Sequence, residues 1–336
     1  MDAFAVAAPG LAPLVAMELD RLGLAPREVT PDGVAFDADW RALAVANLWL
    51  RTATRVLVRV ARFRATSFRE LEQHGRRVDW ARVVAPGQPV ALRVTCRKSR
   101  LWHSDAVAQR VHEAIAHVHG APVPLVAGAD DEHEGDDDAA VQRLVVRVAH
   151  DEVTISADAS GAPLHKRGWR TALAKAPMRE TLAAACLLAA GYDPAAPVAF
   201  LDPLCGAGTL PIEAALLATG RAPGRWRRFA FEQWRGAPPA LLSRTIRDTA
   251  ADGRATCDVP VVASDRDPGA VRMARENAER AGVGDIVRIE QRDLRDVVPP
   301  AAEGLWVSNA PWGKRVGAAA DLRTLFATVG ALAQHA

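Results

Sequence analysis

Disulfide chemistry has little to work with in this sequence. Only four cysteines occur in 336 residues (Cys96, Cys186, Cys205 and Cys257), and no two form a C-x-x-C pair. Such scatter excludes a disulfide framework and a thiolate metal site, and it fits a reducing compartment. Strong charge of either sign is also missing: 42 Lys and Arg against 40 Asp and Glu give a net charge of +2. Affinity for a polyanion must therefore come from local patches, not from a global field. No apolar run approaches the roughly 20 residues of a membrane-spanning helix. The apolar start, "MDAFAVAAPGLAPLVAMEL", lacks a basic leader and carries Asp2 and Glu18. It reads as the first folded element, and the expected location is cytoplasmic.

What is present reads as a soluble globular chain, 49% hydrophobic and 24% charged, long enough for two or three domains with their own cores. The first half alternates short strands and helices. "AFAVAA" has strand character, and Leu11, Leu14, Leu19 and Leu22 share one face of a helix that Gly23 stops. Pro31-Asp32-Gly33 turns the chain into "VAFDA", and Asp39 is placed to cap the next helix. "RVLVRV", Arg55 to Val60, alternates as a half-buried strand, closing an α+β unit over 1–61 or bordering the next one. A second unit, 62–157, contains the strand "PVALRVTC" and a helix from about Ser104 carrying Val107, Val111, Ile115 and Val118. It closes with the strands "RLVVRVAH" and "EVTISADA". Between helix and strand, "AGADDEHEGDDD" at 127–138 is too acidic to order itself and reads as a solvated loop. Residues 158–176 are polar and basic and read as a linker.

From residue 177 the pattern is α/β. After the helix "PMRETLAAACLLAAG" come the strands "VAFLD", "PVVASD", "IVRIEQRD" and "GLWVSN", with helices between, which implies a largely parallel sheet. In "FLDPLCGAGTLPIEAALLA" a strand ends at Asp202, and Gly206 and Gly208 allow a sharp turn beside Cys205. A helix then opens near Thr209, its unpaired amides aimed into the crevice where open α/β sheets bind ligands. The third glycine of the dinucleotide fingerprint is absent, so a tight structural turn is the other reading. Asp265, ending the second strand, is placed either to accept from ribose hydroxyls or to cap the helix "DPGAVRMARENAERAG". Asp293, ending the third, has a similar pair of options: contact with a nucleobase, or a cap.

The stretch "GLWVSNAPWGKRVG" ends an apolar strand in an amide, a rigid proline and a tryptophan. Together with "DPLCGAGT" and the strand-terminal Asp265, it resembles the motifs of class I S-adenosylmethionine-dependent methyltransferases that modify exocyclic amino groups. That resemblance implies S-adenosylmethionine as cofactor, and Asn309, Pro311 and Trp312 as the catalytic motif. The family form is Asn or Asp, two prolines and an aromatic, and Ala310 stands where the first proline is usual. In such a reaction the amino lone pair is delocalised into the base. Acceptance of both its protons, by the Asn309 side-chain oxygen and the Ala310 carbonyl, turns that pair toward the methyl while Trp312 stacks on the ring. A strand end with Trp312 packed into a core is the structural alternative.

Four longer stretches extend the resemblance over the whole chain: "CRKSRLWHSDAVAQRV", "DASGAPLHKRGWR", "KAPMRETLAAACLLAAGYD" and "FAFEQW". They resemble the THUMP-domain RNA methyltransferases of the bacterial large-subunit ribosomal RNA type, on the guanine-N2 side of that group, also labelled N6-adenine-specific DNA methylases. The resemblance implies a ferredoxin-like domain at 1–61, a THUMP RNA-binding domain at 62–157, a linker at 158–176 and a Rossmann-like methyltransferase domain at 177–336. It implies RNA as partner, 23S rRNA or a ribosome precursor, with Arg97, Lys98 and Arg167 on its backbone. Arg100, Lys166, Arg170, Arg225, Arg227 and Arg228 extend the same basic track. Guanine N2 is the expected target; adenine N6 in RNA or DNA, and RNA binding without catalysis, are the alternatives. Relatives of this fold continue with more strands, so the catalytic domain is expected to be incomplete at its C-terminal side. The strand ending at Asn309 is then a sheet edge open to a partner or another copy.

Overall fold

The computed structural model describes residues 1–126, 141–170, 178–310 and 319–335. The acidic run at 127–138 and Pro177 lie outside them. They form two compact units, Met1–Leu164 with Arg227–Ile246, and His165–Trp226 with Arg247–Ala336.

The first unit is organised on one sheet. In chain order it contains β1 (Asp2–Ala7), α1 (Ala12–Arg21), β2 (Pro26–Thr30), β3 (Gly33–Asp37), α2 (Trp40–Trp49) and β4 (Ala53–Arg64). Then come α3 (Phe68–Gly75), β5 (Val90–Arg97), α4 (Ser104–His119), β6 (Leu125–Val126), β7 (Gln142–Ala149) and β8 (Glu152–Asp158). The strand order is β2-β3-β1-β4-β8-β7-β5-β6, antiparallel from β2 to β7 and parallel from β7 through β5 to β6. The alternating "RVLVRV" is the middle of β4, which runs twice that length. Its first half pairs with β1 and its second with β8, so the two α+β sections share one sheet. Inward-facing Val56, Val58, Val146, Val148, Val153 and Ile155 are buried, as period-two alternation requires. Asp39 caps α2 as expected, its Oδ1 accepting from Ala42 N at 2.7 Å.

Residues that read as a linker from Asp158 begin inside this unit. Asp158 ends β8, is fully buried and pairs with Arg55, and Ala159 and Leu164 are buried after it. The segment Arg227–Ile246 also belongs to this unit, and its Phe229, Phe231 and Trp234 are buried. Trp234 Nε1 donates to Gln142 Oε1 at 2.7 Å.

The second unit contains α5 (Glu180–Ala189), β9 (Phe200–Asp202), α6 (Thr209–Ala218), the end of α7 (Leu241–Asp248, most of which belongs to the first unit), β10 (Val261–Asp265), α8 (Pro268–Arg280), β11 (Val287–Gln291), β12 (Leu305–Trp306) and α9 (Ala319–His335). All strand pairs are parallel and the order is β11-β10-β9-β12. Helix α6 has no polar face, and each of its ten residues is buried. It is the core on which Phe200, Val261, Val271, Ala274 and Ile289 pack. The chain lays down β9, β10 and β11 in one direction, then returns to the other side of β9 with β12. The carboxyl ends of β9 and β12 therefore flank the switch point, where sheets of this class bind ligands. Among the described residues no helix is long and apolar enough to cross a membrane.

Candidate functional site

The ends of β9 and β10 hold the glycine turn between them. Cys205 N donates to Ser264 O at 3.0 Å, Gly208 N donates to Cys205 O at 2.9 Å, and Gly206 N donates to Asp265 Oδ2 at 3.0 Å. Asp265 Oδ1 takes Asp267 N at 3.0 Å. Asp265 thus fixes the turn, and each of its oxygens keeps a lone pair for a ligand hydroxyl. The cap of α8 is Asp267, whose Oδ1 accepts from Gly269 N at 2.8 Å.

Gly206 and Gly208 take φ of +52° and +85°, in the left-handed region, for different reasons. A Cβ on Gly208 would stand 3.1 Å from Ala274 Cβ, so α8 packs directly on that backbone. A Cβ on Gly206 would meet nothing within 4 Å, so the space over it is open. Helix α6 begins at Thr209; the amides of Thr209 and Leu210 have no helix carbonyl to reach, Pro211 has no N–H, and Ile212 N donates to Gly208 O at 3.0 Å. Two side chains brace this loop, one absent from the sequence reading (Asn277) and one read there as part of a basic track (Arg170). Asn277, fully buried, donates from Nδ2 to Ala207 O at 3.0 Å. Arg170 donates from Nη2 to Thr209 Oγ1 at 2.7 Å. The available signal for Asn277 was an amide on the apolar stripe Val271, Ala274, Ala278, Ala281. Arg170 gave none beyond its charge.

Asp202 ends β9 at 1% exposure. Its Oδ1 accepts from Ser308 Oγ at 2.6 Å and from Leu204 N at 3.1 Å. Burial pushes the carboxyl up to about 7; those two hydrogen bonds oppose the shift and the Asp265 charge adds to it. Burial also pushes the Cys205 thiol up, helped by both carboxylates. A cationic centre bound at the turn would offset what burial and the paired carboxylates impose on Asp202.

The second wall is the end of β12. Leu305 and Trp306 pair with Phe200 and Leu201, and Val307 N donates to Leu201 O at 3.2 Å. Ser308, also missed from the sequence, accepts from Trp306 Nε1 at 3.1 Å while donating to Asp202. Asn309 follows at once, exposed, and Ala310 is half-buried. Pro311 and Trp312 lie outside the described residues.

Asp293 is occupied as a cap. Its Oδ1 accepts from Arg295 N at 3.0 Å and Nε at 2.9 Å, and its Oδ2 from Nη2 at 3.2 Å. Those bonds from Arg295 hold its carboxyl down at about 2. Of the basic residues, Arg97 and Lys98 are exposed at the end of β5. Arg167 is not available to a nucleic acid: it is 2% exposed and its Nε donates to the buried Glu213 Oε1 at 3.2 Å. A guanidinium that has given up water for a buried carboxylate cannot follow an external backbone. Arg170 is likewise turned inward to Thr209 and Glu180, and Arg227 donates to Pro163 O at 2.6 Å.

Known proteins are similar to this chain. Residues 167–336 match the family described as RMKL-like, methyltransferase domain, and residues 2–57 match the RlmL ferredoxin-like domain. The slr0064 protein of Synechocystis sp., provisionally named as an RNA methyltransferase, is 34% identical over 97% of this chain and 83% of its own length. The ribosomal RNA large subunit methyltransferase K/L of Methylococcus capsulatus is 35% identical over 99% of this chain. The match spans 45% of that longer protein. Among solved structures, SMU.472, provisionally named a methyltransferase and complexed with SAH (S-adenosylhomocysteine), superposes with a TM-score of 0.83. It is 30% identical, over 98% of this chain and 85% of that one.

Proposed function

We propose that this chain, which belongs to the RMKL-like methyltransferase family, methylates an exocyclic amino group of a base in RNA, best matched by guanine N2 of large-subunit ribosomal RNA. As a family member it is an S-adenosylmethionine-dependent methyltransferase. Support for RNA as substrate comes from kinship with a relative named for ribosomal RNA. The observation that carries the catalytic reading is the Ser308–Asp202 hydrogen bond, which anchors the strand presenting Asn309 to the strand that opens into the glycine turn.

S-adenosylmethionine supplies an electrophilic methyl group on a sulfonium sulfur. The residues fit such a ligand: the space over Gly206 is open, the Thr209 and Leu210 amides have no helix carbonyl, and buried Asp202 favours a nearby cation. Asp202, Cys205, Gly206, Gly208, Thr209 and Asp265 would hold it. Asn309 and the Ala310 carbonyl accept hydrogen bonds from the two amino N–H groups and orient the lone pair. The N–CH3 bond forms as the S–CH3 bond breaks, one amino proton passes to water, and most of the rate comes from positioning. Pro311 stiffens the acceptor and Trp312 stacks on the extruded base. Arg97 and Lys98 contact phosphates and set register. We place the reaction in the cytoplasm, in keeping with four free thiols. The outer edge of β12, which among the described strands pairs with β9 alone, takes a strand from a partner or another copy.

Incubation with labelled S-adenosylmethionine and undermodified ribosomal RNA, followed by nucleoside analysis, tests this reading. Methylguanosine is expected. Methyladenosine would move the target to adenine N6, and RNA binding without transfer would leave a binding protein only.

A further inference from the structure

Trp102 is 75% exposed, more than any other large apolar side chain among the described residues, although its neighbour Leu101 is buried. The chain around it is pinned on several sides. His150 N donates to Arg97 O at 3.2 Å, Ser99 Oγ donates to the same carbonyl at 2.9 Å, and Asp151 N donates to Ser99 Oγ at 3.0 Å. Asp151 Oδ1 in turn accepts from Arg100 N at 2.8 Å. Lys98, His150 and Asp151 all take positive φ, 48°, 52° and 63°. At His150 and Asp151, the two residues between β7 and β8, positive φ is the ordinary geometry of a two-residue hairpin turn, and that turn holds the end of β5 in place. Beyond Trp102, His103 caps the 16-residue α4, its Nδ1 accepting from Ala106 N at 3.3 Å, with its ring 5.5 Å from the indole.

The indole therefore stands at the positive end of a helix, in a stretch that exposes Arg97, Lys98 and Arg100. Of the acids in this stretch, Asp151 is committed to the Arg100 amide and Glu152 beside it pairs with Arg62, while Asp105 lies in the first turn of α4. An exposed aromatic in a stretch with three exposed cations suits a polyanion with flat rings.

We propose that this end of the sheet is a platform for single-stranded RNA, where Trp102 stacks on an unpaired base and Arg97, Lys98 and Arg100 neutralise the flanking phosphates. The inference rests on RNA being the substrate and names the residue that meets a base away from the methyl-transfer site. A duplex offers no free base face to the indole, so the preference is for single strands.

The test is a titration of the full chain with a short fluorescein-labelled single-stranded RNA, and with its duplex, at low and high salt. Trp102→Ala is expected to weaken single-strand binding roughly 5- to 150-fold with an unchanged salt slope, and Trp102→Phe to recover most of it. Arg97→Ala with Lys98→Ala is expected to flatten the salt slope. Thermal shift by S-adenosylhomocysteine should match wild type in every variant. Equal single-strand affinity in Trp102→Ala, or a loss that Trp102→Phe fails to restore, overturns the platform and leaves the RNA reading standing. A wild-type chain that binds no RNA removes both.

Discussion

Arg170 reaches from the segment ahead of α5 to Thr209, the first residue of α6, with 2.7 Å between Nη2 and Oγ1. The same guanidinium donates to Met178 O at 3.1 Å and pairs with Glu180 Oε1 at 2.9 Å, so its position is set before it touches the loop. A hydroxyl oxygen that accepts from Arg170 keeps its own proton to donate. Arg170→Ala is expected to lower S-adenosylmethionine affinity about tenfold or more, as for a hydrogen bond to a charged group. Thr209→Val should lower it similarly, and the double variant no further, read by calorimetry as a double-mutant cycle.

Asp202 makes stability depend on pH in a stated direction. Its carboxyl is pushed from 3.8 up to about 7, so the folded chain keeps a proton that the unfolded chain has already released. Stability contributed by this group falls as pH rises from about 4 to about 7 and changes no further above that. Asp202→Asn should remove the slope in denaturation midpoints across that window. Ser308→Ala, which deletes a donor favouring the ionised form, should carry the slope to higher pH.

Asn309→Ala is expected to abolish methyl transfer and leave RNA affinity at the wild-type value. Full activity in this variant would remove the catalytic assignment.

Gly208→Ala places a methyl 3.1 Å from Ala274 Cβ at φ +85°. Strain and overpacking together predict a loss of about 2–4 kcal/mol in denaturant unfolding. Gly206→Ala, which meets nothing within 4 Å, carries only the backbone penalty and should cost about 1 kcal/mol.

Arg167→Ala leaves the buried Glu213 carboxylate without its Arg167 partner. Such a change costs about 3–5 kcal/mol of stability. The salt slope of RNA binding should be unchanged, because Arg167 has no external phosphate to release.

Where a residue's role follows from its neighbours in the chain, the sequence was readable. The cap at Asp39, the strand character of "RVLVRV", the parallel β/α alternation after residue 177 and the glycine turn before Thr209 all follow from local period and backbone sterics. Roles that depend on contacts between distant segments were not readable. Arg167 and the exposed Arg97 have the same charge and similar flanks, yet one faces Glu213 and the other faces water. Asp265 was read as a ligand group or a cap; the cap of α8 is Asp267 instead, and the hydrogen bond from Gly206 N to Asp265 Oδ2, spanning 59 residues, had no local signal.

The amino-acid order alone determined which segments become strands and helices, and where a turn must bend through left-handed conformations, because those are properties of side-chain period and Cβ sterics. Tertiary structure decided which polar groups lost their water. Burial between packed strands raised Asp202 toward neutrality and gave Ser308 to it as a donor. Burial also committed Arg167 and Arg170 to carboxylates inside the second unit and left Trp102 outside. Desolvation depends on everything that packs around a group, and that set is fixed only when the chain has folded.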